Sequence, residues 1–528
     1  MTGGVGQNRP LSCSSSTPTT FRSTTETRES PGLHSPESIP HPINRLPEDI
    51  FVLIPRFFAN GKGECEPFPT NKPLITMTHV CRSWRDVLLS APALWTQLNF
   101  STSKSKQAEG FLGRSGNQLL DVYQSLENDE HVDPFLSVTL ANTYRLRWLE
   151  LFSSQHLDRV LAQFTSPAPE LEHLEIENDT DVTARDVKLP STVFGGWLPK
   201  LASLSLHYLR TDLRDFNFPS LTRFSFSTGT TTSVRDLTSF FERCPSLEFI
   251  QLCLCYMPQP PAAPPHKRVR LAALKELRLN HTASFSGVLD HLALPKCTEM
   301  MLKGEFVDEK FARNPYPIAR FHPSSIDHIP VTREIAKAVA IPNSCILSGP
   351  NGNLRFWCFE KTRGIFDAAF FTSFSPISVL GIRELWVGQN AMSRTGTSHT
   401  FWEQVDIDDA FRVLTKVEDL TIVGCKTEPF FWTLGVATGN SVLLPHLRRL
   451  TVFTGRRDLD VPGLIQCAKA RNLGRYRPLE EVTLVFEKEP GSGLVHGVEL
   501  LRDFVGKLIC RIGKAPRLFW LDRDCDEW

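Results

Sequence analysis

A short phrase, P-x-L-x-x-L-x-L, returns again and again along this chain and restricts its fold severely. It is seen with Pro169, Leu171, Leu174 and Ile176, and again with Pro199, Leu201, Leu204 and Leu206. Further copies centre on Phe224 and Phe226, Ile250 and Leu252, Leu277 and Leu279, and Met300 and Leu302. Later ones use Leu385 and Val387, Leu420 and Ile422, Leu450 and Val452, and Val482 and Leu484. An early copy without the proline carries Leu146, Leu149 and Leu151, which makes eleven, spaced 20 to 35 residues apart where they run consecutively. Apolar residues at i and i+2 point to one face of a strand, and the leucine three residues earlier turns into the same core. One such strand cannot bury its face alone, so neighbouring copies must stack.

Helix-like stretches separate the strands. Ser233 and Asp236 have the spacing of a helix cap ahead of Leu237, Phe240 and Phe241. Leu157, Val160, Leu161 and Phe164 form an apolar stripe, as do Ala410, Val413 and Leu414, and Leu464, Ile465 and Ala468. Alternating helix and strand at this pitch predicts an α/β fold of the leucine-rich-repeat type, an irregular solenoid or horseshoe. A doubly wound sheet, buried on both faces, calls instead for continuous apolar runs. The phrase lapses over residues 303–380, where Leu354, Phe356 and Cys358 suggest one degenerate strand and the prolines of 314–330 suggest loops.

Composition removes several functions. Across 528 residues, 58 Lys and Arg balance 58 Asp and Glu, so no dedicated nucleic-acid surface is expected. No run of 18 apolar residues predicts a membrane span, and the polar N-terminus has no signal core. Thirteen cysteines without a C-x-x-C pair read as reduced thiols of a cytoplasmic or nuclear protein. Residues 1–42 hold 15 Ser and Thr and few large apolar side chains, the composition of a disordered tail.

Residues 43–100 form a separate module. Leu46, Pro47, Glu48 and Asp49 start a helix that continues through Ile50, Leu53, Ile54 and Phe57. Pro73 opens a second helix carrying Leu74, Met77, Val80, Cys81, Trp84, Val87 and Leu88, and a short turn leads to Leu94 and Trp95. So small a module leans on a partner. The opening L-P-E-D-I, the V-C-R-S-W-R-D phrase and the following A-L-W resemble an F-box, with a longer loop between the helices, as in the expanded F-boxes common in fungal proteins. The resemblance covers this module, and the repeats after it are similar to the diverged substrate-binding repeats of F-box/leucine-rich-repeat proteins.

That resemblance implies a substrate receptor of a Skp–cullin–F-box ubiquitin ligase. Its F-box would dock on a Skp-type adaptor, and through it a cullin, while residues 101–528 would hold a protein substrate. The adaptor-facing or F-box-core positions would be Leu46, Pro47, Ile50, Val80, Cys81, Trp84, Leu94 and Trp95. On the repeats, residues between the strand leucines face the open surface: Glu175, Glu177, His207, Arg278 and Lys303, with Trp386 and Phe453 as aromatic anchors. A non-degradative F-box scaffold is the alternative.

No catalytic constellation, cofactor or metal site is expected. Residues 349–353 lack the Gly-Lys-Ser/Thr end of a phosphate loop. Asp406, Asp408 and Asp409 are expected just ahead of a helix as capping acids. The acidic tail at Asp522, Asp524 and Asp526 lacks the central Gly and final Glu of a calcium loop.

Overall fold

The computed structural model describes residues 47–59, 71–100, 105–126, 129–153, 156–178, 187–227, 233–253, 267–280, 286–304, 328–341, 344–358, 379–388, 404–424, 426–435, 443–454, 459–473, 477–490 and 492–514. Leu46, the 1–42 tail and the acidic C-terminus lie outside them.

The fold is mixed α/β, dominated by one mostly parallel sheet of 17 strands. It opens with β1 (Gln97–Asn99), β2 (Leu120–Ser125), β3 (Leu146–Ser153), β4 (His173–Asn178), β5 (Ser203–His207), β6 (Arg223–Ser227) and β7 (Phe249–Cys253). After the two-residue β8 (Val269–Arg270) come β9 (Glu276–Asn280), the short β10 (Leu292–Ala293), which pairs with β8, and β11 (Glu299–Gly304). The sheet continues with β12 (Lys337–Ile341), β13 (Ser344–Gly349), β14 (Gly352–Cys358) and β15 (Glu384–Gly388). It closes with β16 (Asp419–Val423), β17 (Arg449–Thr454), β18 (Glu481–Phe486) and β19 (Lys507–Ile512).

From β1 to β11 each main-sheet strand pairs with the one before it in parallel, and the same holds from β15 to β19. The recurring phrase sets the register. Leu149, Leu174, Leu204, Phe224, Ile250, Leu277 and Met300 stand opposite one another on successive strands. The row passes through Leu354 and resumes with Leu385, Leu420, Leu450 and Val482. A one-residue slip would turn this whole buried row to the opposite face, which is why register is so strongly determined. Helices pack on the same side: Phe240 and Phe241 meet Phe224 at ring-centroid distances of 4.7 and 6.2 Å. Their helix, Val234–Glu242, begins as expected, with the Ser233 hydroxyl accepting from the Asp236 N–H at 3.1 Å. Cross-strand ion pairs reinforce the register where the strands begin, as with Lys337 and Glu384 at 2.8 Å and Lys507 and Glu481 at 3.2 Å.

The lapse over 303–380 has a specific form. β11 pairs with β14 rather than β12, β14 with β13, β13 with β12, and β12 with β15. Among the described strands of the main sheet, β13 alone runs antiparallel to both its neighbours. An inserted hairpin thus keeps the sheet continuous while the chain doubles back. The degenerate strand expected at Leu354, Phe356 and Cys358 is β14, in register with Met300, Leu302 and Gly304. The glycine-containing segment that fails as a phosphate loop is the turn between β13 and β14. Gly352 has φ +126°, and a Cβ there would fall 1.9 Å from the Thr298 carbonyl oxygen. Among the prolines of 314–330, Pro330 opens a single 3-10 turn, Pro330–Thr332; residues 305–327 lie outside the described residues.

The sequence predicts two or three small helices in the N-terminal module, and it has three: α1 (Glu48–Ala59), α2 (Lys72–Thr78) and α3 (Arg82–Leu89). The expected second helix breaks because Cys81 is extended, at φ −155° and ψ 171°, and its sulfur accepts from the Trp84 N–H at 3.5 Å as an N-cap. Asp406, Asp408 and Asp409 also differ from expectation. They lie inside the helix Gln404–Val413 rather than ahead of it.

Candidate functional site

Of the eight N-terminal positions, the seven described ones separate into a buried or half-buried group and an outward-facing group. Leu94 and Trp95 are buried, and the Trp95 Nε1–H donates to the Leu88 carbonyl at 2.9 Å. Trp95 also meets Phe111, at 5.0 Å between centroids, and lies under the Arg114 guanidinium, which joins the module to the helix that follows it, Ser105–Ser115. Trp84 is half-buried, its ring set edge-on to Phe51 at 4.7 Å. Pro47, Ile50, Val80 and Cys81 instead face outward, and Leu46 lies outside the described residues. Ile50 and Leu53 share one face of α1 by their i, i+3 spacing, and each is about half exposed, as is Val80. Leu53 belongs with this outward set although the F-box resemblance does not single it out.

On the sheet, the side chains between the buried rows form a second surface. One row runs Glu150, Glu175, Ser205, Ser225, Gln251, Arg278 and Met301, from β3 to β11. A parallel row runs Glu177, His207, Ser227 and Cys253, and on β9 and β11 it continues as Asn280 and Lys303. The expected face residues Glu175, Glu177, His207, Arg278 and Lys303 are therefore brought onto one surface. Trp386 and Phe453 lie on the same surface beyond the inserted hairpin, on β15 and β17.

The surface changes along its length. Around β2 to β4 it is acidic: burial, then Asp121 and Glu150, hold the Tyr123 phenol above its usual range. In the middle it is polar and closed to solvent. His207 and Lys303 were expected to be open to a partner, yet both are buried. Burial pushes His207 down to about 4, so its ring is neutral at pH 7; it hydrogen-bonds to Ser205 Oγ at 2.8 Å. Farther along, Trp386 is half-buried beneath the Lys337 ammonium, 4.4 Å from its centroid, and its indole N–H donates to Glu384 at 2.5 Å. Phe453 is half-buried between Val423 and Val485.

The position before the first apolar residue of each strand shares this face by the same alternation, and sequence reasoning stopped short of it. It supplies Arg223, Phe249 and Lys337. The Arg223 and Arg278 guanidinium carbons lie 4.3 and 5.4 Å from the Phe249 centroid. Among the described residues, no group of three or more His, Cys, Asp or Glu is arranged to hold a metal ion, and no helix is long and apolar enough to cross a membrane. The chain matches no family model and no curated protein sequence.

Proposed function

We propose that this protein is a substrate receptor of a Skp–cullin–F-box ubiquitin ligase, with α1 to α3 as its F-box and the sheet as a leucine-rich-repeat-like solenoid that holds a protein substrate. The observation that carries the reading is the outward presentation of Ile50, Leu53 and Val80 within the segment bearing the V-C-x-x-W-R phrase. Exposed large apolar side chains in so small a module favour a protein partner. Strands that follow one another in sequence and in space, built on a repeated phrase, support the solenoid. Ubiquitin transfer would be carried out by partner subunits, so the receptor needs no catalytic residue, cofactor or metal. Its place of action would be the cytoplasm or nucleus.

Affinity purification with the proteasome inhibited, comparing the full chain with a variant lacking residues 47–100, tests this. Recovery of a Skp-type adaptor and a cullin by the full chain alone is expected. Adaptor without cullin would indicate a non-degradative scaffold, and absence of both would overturn the assignment.

A further inference from the structure

The last strand of the sheet leaves its core row uncovered. β19 pairs with β18, and among the described residues no strand lies along its other edge. Leu508, Cys510 and Ile512 stand opposite Val482, Leu484 and Phe486, so they continue the row that faces the core. Val482, Leu484 and Phe486 are at most 2 % exposed, whereas Cys510 is exposed and Ile512 is 61 % exposed. Val495 and Leu500, in the helical turns just before β19, are about half exposed. An uncovered row beside an unpaired strand edge is a template for another strand, and a repeated array needs a cap at its end.

The backbone is set to receive such a strand. The Gly513 N–H donates to the Phe486 carbonyl at 3.0 Å. Alternation along the strand then turns the backbone groups of Leu508, Cys510 and Ile512 away from β18.

Charge selects the occupant. β19 and the turn after it carry Lys507, Arg511 and Lys514 and no carboxylate. Lys507 is matched by Glu481 at 3.2 Å, while Arg511 and Lys514 are exposed. Just before β19, Arg502 pairs with Glu499, which leaves Asp503 as the opposing charge. Two copies of this chain joined edge to edge would bring the cations together. Residues 515–528 follow directly and lie outside the described residues. Their Leu518, Phe519, Trp520 and Leu521 form an apolar run, and four acids against two arginines make the segment net acidic.

The register follows from the turn. A four-residue loop from Gly513 to Pro516 uses residues that turns prefer and sets Arg517 opposite Ile512. Counting on, Phe519 meets Cys510 and Leu521 meets Leu508 on the core side. Leu518 and Trp520 meet Arg511 and Ile509 on the open face, and Asp522 meets Lys507. Apolar residues thus fall on the uncovered row, and the first acid falls on a cation.

We propose that residues 517–522 fold back on β19 as an antiparallel strand, a strap that closes this end of the sheet and shields it from edge-to-edge pairing.

The test uses the full chain with Cys510 and Cys525 changed to Ser and one added pair of cysteines. In R511C/L518C the two positions form a non-hydrogen-bonded cross-strand pair, the closer kind. Oxidised glutathione should close a disulfide within most chains, located by peptide mass mapping. In R511C/F519C, one residue out of register, the side chains lie on opposite faces and the bond should not form. A disulfide in both pairs, in neither, or between two chains would overturn the strap, the last by showing that a second copy occupies the edge. A chain ending at Lys514 gives a second reading without added cysteines. It should melt several degrees lower than the full chain and sediment as larger species. Unchanged melting and sedimentation would overturn the strap as well.

Discussion

The helical module and the middle of the sheet depart from ordinary burial in opposite directions. In α1 and in the turn after α2, apolar Ile50, Leu53 and Val80 face outward. On β6 to β9, polar Ser225, Ser227, Gln251 and Asn280 are closed in. A single exposed apolar side chain carries little information, whereas several exposed together and a cluster of buried polar ones both stand out from ordinary burial. The contrast fits the proposed function, in which the helical module and the sheet would serve different partners.

Substitutions can probe each side of this contrast and the join between them. The largest effect is expected at the join. Trp95→Ala removes a buried side chain that contacts Phe111 and donates to Leu88, and should cost about 3–5 kcal/mol in denaturant unfolding.

His207 should make the sheet sensitive to pH. Its folded pKa, about 4, lies below the ordinary 6.5, so the unfolded chain binds the extra proton between those values. The stability from its neutral, buried ring is fully present above pH 6.5 and is lost as pH falls toward 4, by roughly 3 kcal/mol across the window. His207→Gln should flatten that part of the stability–pH curve.

Gly352→Ala forces a Cβ against the Thr298 carbonyl at a positive φ and should cost about 1–3 kcal/mol or more, read as a lower melting temperature. Ile50→Asp should have the smallest effect on stability, within about 0.5 kcal/mol, because the side chain is half exposed. A large loss there would mean that the outward face of α1 belongs to the protein's own core.

The parallel sheet and its register were readable because the phrase repeats with period-2 alternation, and a row such as Leu204, Phe224 and Ile250 lines up in only one way. The strands that sequence missed lack the phrase. β2 carries Gln124 opposite Leu151, and β12 uses Ala338 and Ala340 where other strands use larger residues. The antiparallel β13 was hidden because strand direction leaves no mark on alternation. For the sites, the sequence placed Glu175, His207 and Arg278 on one face, but it could not reveal that His207 and Lys303 are buried or that Gln251 Oε1 has no hydrogen-bond partner. Those properties depend on neighbouring strands distant in sequence. The break at Cys81 was missed because its neighbours keep helical apolar spacing on both sides.

The central claim, that α1 to α3 dock on a Skp-type adaptor, is tested most directly by titrating a purified adaptor against the full chain and against an Ile50→Asp, Val80→Asp variant. Melting temperature serves as the control for folding. The wild type should bind saturably, and the variant should bind at least a hundredfold more weakly at an unchanged melting temperature. No binding by the wild type, or equal binding by a folded variant, would contradict the account.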